Sequence, residues 1–84
     1  MIFDFIKEMS NRFDNISFSY SKTLNALRLH ISKDNKMLLY HISLIIFNKM
    51  DNENFAKIIE YWDKTIRDDF KKKFNSIYME RGML

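Results

Sequence analysis

Between Ile16 and Ile42 the chain alternates apolar and polar residues with a period of two. Ile16, Phe18 and Tyr20 alternate with Ser17, Ser19 and Ser21, and Leu27, Leu29 and Ile31 alternate with Arg28, His30 and Ser32. A period of two is the pattern of a strand with one face buried. Lys33-Asp34-Asn35-Lys36 interrupts it, and Asp and Asn tolerate the left-handed backbone of a tight hairpin. With Asp34-Asn35 as a two-residue loop, Lys33 faces Lys36, Ile31 faces Leu38, Leu29 faces Tyr40 and Leu27 faces Ile42. Each apolar residue of one strand then meets an apolar residue of the other, and a slip of one residue would destroy the match.

The flanking segments have a helical period. Ile2, Phe5, Ile6, Met9 and Phe13 recur at three- and four-residue steps, which predicts a short helix over 2–14 with Lys7, Glu8, Asn11 and Arg12 on its other side. Lys22–Asn25 reads as a loop between the first two strands. The run from Leu44 to Met50 loses alternation and reads either as strand end or as a single helical turn capped by Ser43. Asp51-Asn52-Glu53-Asn54 offers helix caps and first-turn acids. After it Phe55, Ile58, Ile59, Trp62, Ile66, Phe70, Phe74, Ile77 and Tyr78 form one stripe, with Gly82 as a stop. That helix could reach about 28 residues, roughly 42 Å. A sheet of five- or six-residue strands is only about 20 Å long. The helix must therefore overhang the sheet, break, or pack against another copy. The order predicts an α+β fold, α-β-β-β-α: a three-stranded antiparallel sheet with a short N-terminal and a long C-terminal helix packed on one face. With 84 residues, a single domain over 1–84 is expected.

Composition narrows the chemistry. The absence of Cys removes disulfides, thiolate metal sites and thiol nucleophiles. One Gly and no Pro exclude glycine-rich phosphate loops. The first eight residues carry an early acid and no basic leader, so no signal peptide is expected. Met37–Phe47, the longest nearly uncharged apolar run, is shorter than the roughly 20 residues of a membrane span. A cytoplasmic domain without a membrane partner is the expectation. The abundance of Lys, Asn, Ile and Phe, which have AT-rich codons, points to a low-GC bacterium or one of its phages. The net charge of +3 permits nucleic acid as a partner without demanding it.

Three surfaces stand out as partner-binding candidates. By alternation, the outer sheet face carries Ser17, Ser19, Ser21, Arg28, His30, Ser32, Met37, Leu39, His41 and Ser43, with Arg28 across from His41 and His30 across from Leu39. Of these, Arg28, His30, Leu39, His41, Ser17 and Ser19 are the expected contacts. Burial of His30 or His41 by a partner would make binding pH-sensitive. The two His residues lack further ligands, so no metal is expected. On the long helix, Lys71-Lys72-Lys73 with Lys64 and Arg67 could touch phosphates or an acidic partner, although Asp63, Asp68 and Asp69 dilute them. Tyr61 stands off the apolar stripe and is an interface candidate, as are Tyr78 and Met79, through which the C-terminal helix could dimerise. Glu60/Lys64, Asp63/Arg67, Asp68/Lys72 and Asp69/Lys73 have the four-residue spacing of a salt-bridged solvent face. No serine sits in a glycine-flanked elbow. No catalytic residue, enzyme activity or cofactor is expected.

Two resemblances follow from the element order. The α-β-β-β-α plan is similar to the double-stranded-RNA-binding domain, whose last helix opens with lysines. Here that helix opens Asp51-Asn52-Glu53-Asn54 and the Lys run lies two to three turns later, so the functional residues do not carry over. The whole chain also resembles the small accessory proteins of phages of low-GC bacteria, including anti-CRISPR and other anti-defence inhibitors, in length, lack of Cys and helix–hairpin–helix plan. That resemblance implies a phage or mobile-element inhibitor or regulator that blocks a host protein or ribonucleoprotein complex by binding it. Its basic charge departs from the acidic nucleic-acid mimics of that group. The alternative is a small basic nucleic-acid-binding regulator.

Overall fold

A computed structural model of the chain describes residues 1–74. The elements run α1 (Ile2–Arg12), β1 (Ile16–Ser21), β2 (Ala26–Lys33), β3 (Lys36–Ser43), α2 (Ile45–Asn48) and α3 (Asn52–Phe74). The three strands form one antiparallel sheet in the order β1-β2-β3. This is the expected α+β plan with one short helical turn added.

The hairpin has the register that the apolar pattern requires. Ile31 pairs with Leu38, Leu29 with Tyr40, Leu27 with Ile42, and Lys33 with Lys36. Asp34 and Asn35 both have positive φ, 53° and 66°, the backbone of a two-residue primed turn whose twist matches the strands. β1 joins the other edge of β2, with Ile16 opposite Ile31 and Phe18 opposite Leu29.

Every inward side chain of β2 from Leu27 to Ile31 is buried, as are Leu38 and Ile42 of β3. Phe5, Met9 and Phe13 of the α1 segment and Ile59, Ile66 and Phe70 of α3 close over them. Both helices therefore cover the same side of the sheet. Each fully buried member contributes about 1.5–3 kcal/mol of transfer free energy.

The structure resolves the open question after Ser43 in favour of a helical turn. The Ile45 N–H donates to Ser43 Oγ at 3.4 Å, and Phe47 of α2 is buried against Phe5. α3 begins where Asp51 Oδ1 accepts the Asn54 N–H at 2.8 Å, as a helix cap should. It continues unbroken for 23 residues, about 35 Å. The strands β2 and β3 are eight residues each, about 26 Å, so the overhang is smaller than five- or six-residue strands imply. The expected extension of the stripe through Ile77 and Tyr78 to Gly82 lies outside the described residues.

Two side-chain placements differ from strict alternation. Tyr20, expected inside, is 56% exposed, and Ser21, expected outside, is 2% exposed. Both lie where β1 turns into its loop. The Tyr20 hydroxyl reaches Asn25 Oδ1 at 3.3 Å, and Ser21 Oγ accepts the Leu24 N–H, so local turn bonding overrides the pleat.

Glu8 and Arg12 also depart from a solvated helix face: they lie between α1 and α3. Arg12 Nε donates to Glu8 at 3.0 Å, and Nη1 donates to Asp63 at 3.0 Å and lies 2.9 Å from Glu60. Partial burial alone would disfavour the charged guanidinium. Hydrogen bonds to Glu8, Asp63 and Glu60 outweigh it and hold the Arg12 pKa above its ordinary value.

A second tie joins the sheet to α3. The Tyr40 hydroxyl donates to Asp69 at 2.6 Å, and its ring meets Trp62 edge-on at 5.4 Å. Burial, then the Asp69 hydrogen bond and charge, raise the Tyr40 pKa above the ordinary phenol range. The unfolded chain loses this proton near pH 10 while the folded chain keeps it. The resulting stabilisation is complete below about pH 10 and declines as pH rises from there toward the folded-state pKa. Tyr40→Phe is expected to flatten this alkaline decline and to lower stability at neutral pH by about 1 kcal/mol. Urea midpoints at neutral and alkaline pH check both effects.

Candidate docking surface

The side of the sheet turned away from the helices is built in cross-strand rows. Ser17, His30 and Leu39 form one row, and Ser19, Arg28 and His41 form the next. The sequence-predicted contacts thus come together on one face. Ser17, Ser19, Leu39 and His41 are exposed, and Arg28 and His30 are half-buried by their neighbours. Met37 and Leu39, at 62% and 49% exposure, add apolar area at the β3 edge. None of the described helices lies over this face, because the residues they bury come from the opposite parity.

The electrostatics of the face follow from where the acids are. None of the three strands contains Asp or Glu, while they carry Arg28, Lys33 and Lys36. Arg12 and Arg67 are both engaged by carboxylates inside the fold. Among the described residues, no hydrogen bond or ion pair joins Arg28 to a carboxylate. An arginine fork with no carboxylate acceptor among the described residues, flanked by serine hydroxyls and imidazoles, is chemically suited to an external carboxylate, phosphate or carbonyl.

The helix candidates separate in space. Lys64, Lys71, Lys72 and Lys73 are exposed. Arg67 is not grouped with them: it donates to Asp63 Oδ1 at 2.6 Å and stacks over the Phe13 ring at 4.6 Å. Of the four-residue pairs, Asp63–Arg67 forms, whereas Glu60 engages Arg12 and Asp69 engages Tyr40. Tyr61 is 60% exposed, with its ring edge-on to Trp62. Tyr78 and Met79 lie outside the described residues.

Among the described residues no group of three or more His, Asp or Glu is placed to hold a metal ion, and no helix is long and apolar enough to cross a membrane. The Arg12 and Tyr40 ties were not anticipated. The four-residue step from Glu8 to Arg12 was a visible signal for the first, but their partners on α3 are set only by how the two helices cross. No family model matches the chain, and neither a curated protein nor a solved structure shows significant similarity to it.

Proposed function

We propose that the chain is a non-catalytic binding protein that docks a host complex through its open sheet face. Its role is that of a phage or mobile-element inhibitor or regulator, of the kind that blocks a CRISPR effector or another defence assembly. The observation that carries this reading is Arg28: it lies flanked by Ser19 and His41 in a sheet whose three strands contain no Asp or Glu. A solvated sheet face usually mixes charges of both signs. One whose strands carry no acid supports a partner presenting negative charge or carbonyl oxygens. The exposed Met37 and Leu39 supply the apolar part of such a contact.

Arg28→Glu together with His41→Glu is expected to weaken capture of the host partner by at least about tenfold, or 1.4 kcal/mol. Its circular dichroism should match the parent chain, because neither residue belongs to the core. A partner held through nuclease and high salt supports protein recognition. Unchanged affinity in the double variant removes the reading.

The exposed Lys71, Lys72 and Lys73 in the last turn of α3 favour the second reading, a basic nucleic-acid-binding regulator. That reading requires affinity to fall steeply with added salt as phosphate contacts release counterions. A flat salt dependence eliminates it.

A further inference from the structure

β3 forms one edge of the sheet and has no neighbour on its far side among the described residues. Natural edge strands are blunted by charges, proline or bulges. From Met37 to Ser43 β3 carries no formally charged residue, no Pro and no Gly. An eight-residue edge of this composition has the signature of a strand that pairs with another. The opposite edge, β1, is shorter and places serine at alternate positions.

The hairpin determines which β3 backbone groups are free. A two-residue loop makes Lys33 and Lys36 exchange both of their backbone hydrogen bonds. Lys36, Leu38, Tyr40 and Ile42 then bond to β2. Met37, Leu39 and His41 direct their N–H and C=O groups to the open edge. The same three residues project side chains onto the outer face.

We propose that β3 pairs antiparallel with β3 of a second copy of this chain, about a two-fold axis normal to the sheet at Leu39. Two three-stranded sheets thereby become one of six strands. Leu39 faces its own counterpart, Met37 faces the second copy's His41, and Leu38 faces the second copy's Tyr40. About six backbone hydrogen bonds form, two at the Leu39–Leu39 pair and two at each of the two Met37–His41 pairs. The apolar surface of Met37 and Leu39 gains cover from the other copy.

Charge within β3 does not oppose the pairing. Each chain carries +3, so two copies repel in general. Lys36 is the sole formal charge in β3, and in this register its two copies stand about 20 Å apart at 3.3 Å per residue. That separation exceeds the screening length of about 8 Å at physiological salt. The pairing also turns both outer faces to the same side, so that Arg28 and His30 of each copy share one surface. Met37, Leu39 and His41 of β3 serve both the pairing and the outer face, whereas Arg28 on β2 lies off the paired edge.

Sedimentation of the full chain without partner is expected to give twice the 10.3 kDa chain mass. Leu39→Lys, an exposed edge substitution, is expected to give a monomer with unchanged circular dichroism. A single-cysteine variant provides a check that does not need Leu39→Lys to fold, since the chain has no cysteine of its own. Leu39→Cys should form a disulfide-linked dimer under mild oxidation, because facing Cα atoms lie about 5.5 Å apart, within disulfide reach. Tyr61→Cys should not. A monomeric parent chain, a dimer that survives Leu39→Lys, or cross-linking through Tyr61→Cys on the C-terminal helix would overturn the proposal. Arg28→Glu should leave the mass unchanged, so failure of the dimer and failure of the docking face read out separately.

Discussion

Phe5→Ala is expected to destabilise the fold by about 3–5 kcal/mol. Phe5 is fully buried, with its ring 5.2 Å from Phe47 and 6.4 Å from Phe18, both in edge-on geometry. It is therefore the point where α1, β1 and α2 meet. Truncation removes the transfer free energy of the ring, leaves a cavity that three elements cannot close together, and abolishes two aromatic contacts worth about 0.5–1.5 kcal/mol each. A domain of this size has a total stability of only about 5–15 kcal/mol, so a large part of the margin is lost. Phe3, two residues earlier and 82% exposed, provides the control. Phe3→Ala should change stability by less than about 0.5 kcal/mol. Urea unfolding of the two variants measures the contrast, and similar midpoints would mean that α1 does not pack as described.

The second large effect is expected at Arg12. Its guanidinium bridges Glu8 on its own helix and Glu60 and Asp63 on α3. Arg12→Ala leaves Glu8 and Glu60 without this cation and leaves Asp63 to Arg67 alone. Breaking a fully buried pair costs about 3–5 kcal/mol, and exposed pairs contribute about 0–1. Arg12 is 29% exposed and Asp63 only 14%, which places the expected loss between these limits, at about 2 kcal/mol. Arg12→Lys should recover only part of it, because an ammonium cannot present the planar fork that serves several acceptors at once. Added salt should narrow the gap between Arg12→Ala and the parent chain by screening the carboxylate repulsion. Equal stability of all three chains would show that the α1–α3 contact rests on its apolar residues alone.

The sheet and its register were legible in the sequence because two constraints coincide there. The Asp34-Asn35 turn sets the loop length, and the alternation of Leu27, Leu29 and Ile31 against Leu38, Tyr40 and Ile42 permits one pairing. The partition of Arg28, His30, Leu39 and His41 onto the outer face follows from the same parity. Where local hydrogen bonding competes with the pleat, parity fails, and Tyr20 and Ser21 exchange their expected burial. The segment after Ser43 was ambiguous because a short apolar run fits a strand and a helical turn equally well. Periodicity places Arg12, Arg67 and Asp69 on helix faces but carries no information on how two helices cross. The clamp through Arg12, the stacking of Arg67 on Phe13 and the Tyr40–Asp69 bond depend on that crossing. The same crossing removes Arg67 from the basic group formed by Lys64 and the Lys71–Lys73 run.

The sheet-face account is tested most directly by protection of single cysteines in the complex with the host partner. Ser19→Cys places a thiol beside Arg28 on the outer face, and Lys57→Cys places one on the exposed side of α3. Both should react with maleimide at similar rates in the free chain. In the purified complex, labelling at position 19 is predicted to slow by at least about tenfold, while labelling at position 57 continues unchanged. Undiminished labelling at position 19 with protection at position 57 would place the partner on the helices and contradict the account.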